Sequence, residues 1–482
     1  MNTLKLLILI AVIVPINAVF EQQRISTIKH EVATAYSHNR LIAAICTEDI
    51  QQVKSLLDKG AQVNTQEEDG ITPLAVAVIY GNAEIIQLLV HNGAAFNDAT
   101  YYLLYMAQQF GYTYIMPLLK TYMRAERISK FKQSVLADGN HDRLIEAICS
   151  ENLERVEALL ATGVDVNAPN DNNLTPLQVA IGCENQEMVT LLLHKGADIH
   201  AGLVLLRTIQ MQMGDIQLVK ILLEHGADVN EVDEYNVTPL MYAVASPLYD
   251  NDTIELIELL LAHGADINAR CDSRVMGIHL YNGFLAYAHD LSGGEFNKRG
   301  QSVLMQAGNI DIIKLLLDKG AEVNTTPCYW GKVPLVQALR CADAYELVSL
   351  LLHHGADVNV QFDRENTTPL IDAIKNGVES RVIGLLIVHG ARVSVQDSNG
   401  YNSGYSPLMY AVARNDIEIV QLLLAADPDL TAHSSAAVVF DDNGRWRSMH
   451  YTNEGPKKTA LDIAKEKGNQ LIIALLEQKF AE

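Results

Sequence analysis

Asp441-Asp442-Asn443-Gly444 starts like a calcium loop, in which carboxylates alternate with spacer residues and a glutamate closes the coordination sphere. The next ligand positions hold Arg445 and Arg447, and Glu454 falls out of register, so no calcium is expected there. Histidine recurs at His91, His194, His225, His263, His353, His354 and His389, near the ends of apolar helical stretches. A metal needs several ligands converging on one point. Histidines placed once per repeated segment sit a segment apart, and a favourable contact with a helix C-terminus accounts for them better. Six cysteines (Cys46, Cys149, Cys183, Cys271, Cys328 and Cys341) include no CxxC pair and are too sparse for a zinc site or a disulfide framework. Cys46 and Cys149 read as small buried hydrophobes on an apolar helix face. Cys271 and Cys328 both fall in loops, where a bridge between them is the alternative. No GxSxG, HExxH, P-loop or GxGxxG in a strand–helix setting occurs. The chain reads as non-enzymatic, with no cofactor and no metal.

The elements that would position such residues repeat themselves. HNRLIAAICTED (38–49) and HDRLIEAICSEN (141–152) share eight of twelve positions at an offset of 103 residues. Gly60 to Gly93 is 33 residues, and so is Gly163 to Gly196. The basic unit is therefore about a third of the duplicated block. Its end recurs as GAQVN (60–64), GVDVN (163–167), GADIH (196–200), GADVN (226–230), GADIN (264–268), GAEVN (320–324), GADVN (355–359) and GARVS (390–394). Its start recurs as TPL at 72, 175, 238 and 368, VPL at 333, SPL at 406 and TAL at 459. Thr or Ser caps a first helix and Pro fits its first turn. Leu, Ala and Ile at three- and four-residue spacing give a buried stripe, and Gly ends the second helix in a left-handed conformation. Helices of about eight to ten residues are unstable alone, so each unit must pack on its neighbours.

This pattern resembles the ankyrin-repeat family over roughly residues 38–480. The resemblance implies an all-α solenoid of stacked helix–turn–helix units with β-hairpin loops, about twelve in number. One departure is systematic. The family's TPLH histidine is replaced by Ala75, Gln178, Met241, Val336, Ile371, Met409 and Asp462, so the hydrogen bond it implies is expected to be lost.

Residues 1–18 read as a signal peptide: Lys5, an apolar run from Leu6 to Val14, Pro15, and Ala18 before the cleavage point. The run is too short for a comfortable membrane span. An extension (19–37), a first block (38–123), a linker with a bend (124–140) and a second block (141–482) follow. The break is drawn on Pro117, expected inside a helix, and on the basic stretch RAERISKFKQS (124–134). Insertions are placed at 270–301, with a mobile loop at 291–300, and at 433–457, with two short strands around Asn443-Gly444. The polar outer face of the final helices suits a cap.

The net charge of −22 argues against nucleic acid and anionic lipid as partners, because phosphate binding needs clustered Lys and Arg. The resemblance implies a protein partner, bound along a concave surface by hairpin tips and inner helices. The tips QEED (66–69), EVDEYN (231–236), QFDREN (361–366) and VQDSNG (395–400) are acidic. Candidate contacts are Asp233, Glu234, Tyr235, Tyr329, Trp330, Phe362, Asp363, Tyr401 and Tyr405, with Tyr101, Tyr105 and Trp446 as secondary candidates. Tyr and Trp are favoured interface anchors, and an acidic rim suits a basic partner. The expected setting is export, periplasmic or secreted, of the kind seen in exported bacterial ankyrin proteins. An uncleaved N-terminal anchor on an envelope spacer is the alternative, and an enzyme with a composite site a third.

Overall fold

The computed structural model describes residues 18–481 apart from 68–70, 97–103, 105–106, 109, 138–142, 211–214, 246–250, 273–274, 282–283, 290–299, 308, 326–332, 342–343, 364–365, 398–403, 435–436, 441–445 and 451–457. The expected signal peptide and the 291–300 loop thus lie outside the described residues, the former but for Ala18 and the latter but for Gly300. The chain divides into two compact units. One runs to Asp266 and takes in Gly277–Asp290; the other holds Ile267–Met276 and Leu291–Glu482.

The first unit opens with α1 (Ala18–Ala35), followed by the helix pairs α2/α3 (Arg40–Cys46, Ile50–Asp58) and α4/α5 (Pro73–Tyr80, Ala83–His91). A single long helix, α6 (Met116–Ala137), comes next. The unit continues with α7/α8 (Arg143–Cys149, Leu153–Ala161), α9/α10 (Pro176–Gly182, Gln186–His194), α11/α12 (Val204–Gln210, Ile216–Glu224) and α13/α14 (Pro239–Val244, Asn251–Ala262). The hairpin β1/β2 (Val275–Tyr281, Phe284–His289) follows, with all but Val275 and Met276 in this unit. The second unit carries α15/α16 (Val303–Gln306, Ile310–Asp318), α17/α18 (Pro334–Ala338, Ala344–His353), α19/α20 (Pro369–Asn376, Ser380–Val388) and α21/α22 (Pro407–Ala413, Ile417–Ala425). The hairpin β3/β4 (Ala437–Phe440, Trp446–His450) precedes the last pair, α23/α24 (Ala460–Lys467, Gln470–Ala481).

The start and end signals do the physical work assigned to them. The hydroxyls of Thr72, Thr175, Thr238, Thr368, Ser406 and Thr459 each accept the backbone N–H three residues on. Val333, without a hydroxyl, makes no such bond. At the other end, Gly226 takes φ +90° and lets Ala227 N–H reach Leu222 O at 2.9 Å. The final Asn of the end signal has a role beyond the helix. Asn64, Asn167, Asn230, Asn324 and Asn359 each donate from Nδ2 to the end-glycine carbonyl of the next unit. Each also accepts at Oδ1 from the backbone N–H two residues beyond that glycine. One side chain thereby clamps two units. Asn359→Ala removes both bonds and is expected to cost about 1–2 kcal/mol, read from the urea midpoint; an unshifted midpoint would contradict the clamp.

The extension is structural. Ile28, Val32 and Tyr36 are buried in one core with Ile42, Ile45 and Leu74, so α1 covers the first pair. Lys29 Nζ donates to Tyr80 O at 3.2 Å and Tyr80 OH donates to Lys29 O at 2.9 Å.

The expected linker is corrected. Residues 124–137 continue α6 without a break, and Pro117 sits in that helix's first turn, where no hydrogen bond is lost. Met116, Leu119 and Met123 pack into the first block's core, so the front of α6 serves as the third pair's second helix. The division into compact units falls instead beside the first insertion.

Both insertions leave and rejoin through antiparallel bridges, Arg270 with Ser302 and Ser434 with Lys458. The second holds the expected two strands, with Ala437 opposite His450 and Phe440 opposite Trp446; the turn residues lie outside the described residues. At the root of the first, Cys271 is a fully buried free thiol donating to Gln301 O at 3.4 Å, and burial pushes its pKa up to about 11. Cys328, its partner in the bridge considered above, lies outside the described residues.

Candidate interaction surface

Two edges of the repeats present exposed charge: the fingers that join one pair to the next, and the turns inside each pair. The first helices contribute less. Every residue of α4, α13 and α21 is buried.

On the fingers, Asp165, Asp198, Asp228 and Asp357 are exposed, and each accepts the backbone N–H two residues on at 2.9 Å. The turn fixes the direction of each exposed carboxylate. In each of these four repeats the carboxylate takes the same place within its own finger.

Several residues read as contacts belong to the core. Phe362 is only 7% exposed and packs on Val333 and Val336. Its N–H closes the finger onto Thr367 O, which turns the ring inward. Tyr405, 2% exposed, lies with its ring 5.1 Å from that of Tyr410. Asp233 is half-buried; its Oδ1 accepts Tyr235 N at 2.8 Å and Val237 N at 3.0 Å, and its Oδ2 accepts Tyr242 OH at 3.1 Å. Glu234 and Asp363 are exposed and Tyr235 is half-buried, as a finger surface requires. Tyr329, Trp330, Tyr401, Tyr101 and Tyr105 lie outside the described residues. Trp446 stands opposite Phe440 at the start of β4.

Asp397 repeats the arrangement of Asp233. It is 1% exposed and accepts Tyr405 N at 2.8 Å and Tyr410 OH at 2.5 Å. In both cases the tyrosine directly follows the methionine standing where the family has histidine. The tie between helix and finger expected to be lost is therefore supplied one residue later in these two units.

Burial raises the pKa values of Glu231 and Asp233 and pushes the Tyr242 phenol up. An unfolded chain releases these carboxyl protons first, so stability falls as pH rises from the ordinary carboxylate values to the raised ones. Below both values the groups contribute nothing. Asp233→Asn keeps the acceptor and removes the charge, so the variant is expected to gain on the wild type as pH rises through that window. Urea midpoints across the acid range check this; parallel curves would contradict it.

The residues missed by the sequence reading lie on the turns. Glu48, Glu151 and Glu184 have φ of 54°, 59° and 53°, in the turn position that Gly81, Gly111 and Gly377 occupy elsewhere. Glu151 and Glu184 face cations of α6. Lys132 Nζ is 2.5 Å from Glu151 Oε1, Arg124 and Arg127 both pair with Glu184, and Arg124 Nη2 is 2.9 Å from Asp215 Oδ2. Lys120 Nζ reaches Asp252 Oδ2 at 2.7 Å. A groove of about 300 Å³ lined by Arg124, Glu151, Glu184, Gln186 and Asp215 runs beside them. An alignment of the units on one another would have exposed the glycine-to-glutamate replacement.

The histidines meet helix ends: Nδ1 of His91, His225, His263 and His389 lies 2.7–2.9 Å from the carbonyl four residues back. His194 and His225 come closer than one per repeat suggested, with ring centroids 5.5 Å apart. Among the described residues no three metal-ligating side chains gather, and no helix is long and apolar enough to cross a membrane.

The family model "Ankyrin repeats (3 copies)" matches residues 41–130, 128–202, 207–271, 278–362 and 359–434. An ankyrin repeat protein of fowlpox virus is 30% identical over 142 residues, 30% of this chain and 18% of the relative. Another from the same virus is 32% identical over 216 residues, 44% of each. The human 2-5A-dependent ribonuclease is 43% identical over 63 residues, 13% of this chain and 8% of the relative. The chain spans less than half the length of each of these relatives.

Proposed function

Because the chain belongs to the ankyrin-repeat family, we propose that it recognises another protein along its finger edge and catalyses no reaction. The repeats make it a protein-interaction scaffold; the finger edge and the nature of the partner are the finer part of the reading. The observation that carries it is the set of exposed carboxylates at Asp165, Asp198 and Asp228 of the first unit, each held by the same turn. Together with a net charge of −22, this set favours a partner with a basic face, drawn in by long-range attraction and seated on finger side chains of the first unit such as Glu234 and Tyr235. A stack of short helices suits broad surface recognition.

Export belongs to the same proposal and rests on residues 1–18 alone. The relatives named above come from fowlpox virus and Homo sapiens and lend no weight to a bacterial source. N-terminal sequencing of the mature protein is expected to begin at Val19; an intact Met1 would favour the anchored alternative.

The test is cross-linked capture with residues 19–482 as bait, beside a bait carrying Asp198→Asn, Asp228→Asn and Glu234→Gln. These changes keep the acceptor oxygens and remove three charges. A partner captured by the first and lost by the second, with helicity and melting unchanged, supports the finger edge. Equal capture by both overturns it.

A further inference from the structure

The two halves of α6 are held differently. Up to Met123 its apolar residues are core of the first block. From Arg124 onward Val135 is the one apolar residue in the buried class among the described residues, and ion pairs join this half to the following pairs. Lys120, Arg124, Arg127, Phe131 and Val135 follow a three- and four-residue spacing that puts them on one helix face. Their acidic partners stand one per repeat at the start of successive second helices. Read from Lys120 to Lys132 they are Asp252, Asp215, Glu184 and Glu151, so the helix runs along the turn edge against the order of the repeats. Phe131 completes the contact: a β-carbon added to Gly182 would come within 2.3 Å of its ring, so glycine leaves room for an aromatic residue there.

A second observation is independent of the ion pairs. Glu151 and Glu184 sit in left-handed backbone that Gly81, Gly111 and Gly377 fill in other repeats, though Glu48 and Asn415 also adopt it. Such a conformation is unfavourable for a residue with a side chain, and it persists where the side chain has a task. Here it aims carboxylates along the turn edge, and Glu184 is 5% exposed between two arginines.

We propose that Glu151, Glu184 and Asp215 form a docking row for a cationic helix of another protein, and that residues 124–137 occupy this row as a built-in competitor. The inference deepens the protein-recognition reading above but uses a different edge of the repeats. The fitting ligand is a helix with basic residues at the spacing of Arg124, Arg127 and Lys132 and an aromatic residue at the place of Phe131. It binds as the rear half of α6 swings away, while Met116, Leu119 and Met123 keep the front half anchored.

The test uses the full chain and a labelled synthetic peptide of residues 116–137. The unaltered chain is compared with one carrying Arg124→Ala, Arg127→Ala and Lys132→Ala. The row in the unaltered chain is occupied, so the triple variant is expected to bind the peptide about tenfold tighter or better. Adding Glu184→Gln and Asp215→Asn should abolish the gain, and raising salt should weaken it. Equal peptide binding by both chains, or a gain indifferent to Glu184 and Asp215, overturns the proposal. A variant that folds poorly is bypassed by amide exchange on the unaltered chain. Added salt should speed exchange at 124–137 well before 116–123, whereas uniform protection along α6 would show a permanent joint. The finger variants Asp198→Asn and Asp228→Asn should leave peptide binding unchanged, which separates failure here from failure of the finger edge.

Discussion

Phe362→Ala is expected to lower the stability of the second unit by about 3–5 kcal/mol, the range for removing a packed aromatic side chain. The ring is 7% exposed, against Val333, Val336 and Val360, and alanine leaves a void between two neighbouring repeats. Because each repeat is stable only against its neighbours, the loss should spread beyond the finger. Urea unfolding followed by circular dichroism checks this; a shift below about 0.5 kcal/mol, the scale of an ordinary surface substitution, would return Phe362 to the surface. The outcome bears directly on binding experiments. Capture lost through this variant would report unfolding and not a contact.

Asp397→Ala is expected to cost about 3 kcal/mol, since two buried donors lose their acceptor at once. Tyr405 N–H and Tyr410 OH both point at this carboxylate, and the side chains around it exclude water. Asp397→Asn keeps an acceptor oxygen and should cost clearly less than alanine. Equal losses for the two substitutions would mean that shape, not hydrogen bonding, is what the site needs. Asp233→Ala, in the same arrangement but half-buried, should fall below Asp397→Ala.

The helix pairs, their caps and the family were legible because each leaves its mark within one unit and the marks recur. Thr before Pro and Gly after an apolar run state local backbone needs, which neighbours do not alter. The side-chain environments of the fingers were not legible, because they depend on how one unit lies on the next. Phe362 and Tyr405 occupy loop positions, where an aromatic ring reads as exposed; closure of the finger turns both inward. Asp233 reads as surface charge until Tyr242 is brought beside it. Residues 124–134 read as a linker for a similar reason. Their cations find carboxylates 19 to 91 residues further along, a distance at which no local pattern operates. The clamp made by the final Asn was visible as a repeated letter, but its partner is the next repeat's backbone, which has no letter.

That clamp is unevenly distributed. Where the end signal reads GADIH, His200 makes no such pair of bonds among the described residues, and at GARVS the Ser394 hydroxyl accepts from Asp429 N alone, at 2.9 Å. In mechanical terms each of these two junctions is a soft coil in a spring. Under tension the load falls equally on every junction, so the coil with fewer cross-links opens first, and the stretches on either side remain wound. Pulling a single molecule by its ends is expected to give early partial extensions at these two junctions, and restoring Asn at position 200 or 394 should delay the corresponding one.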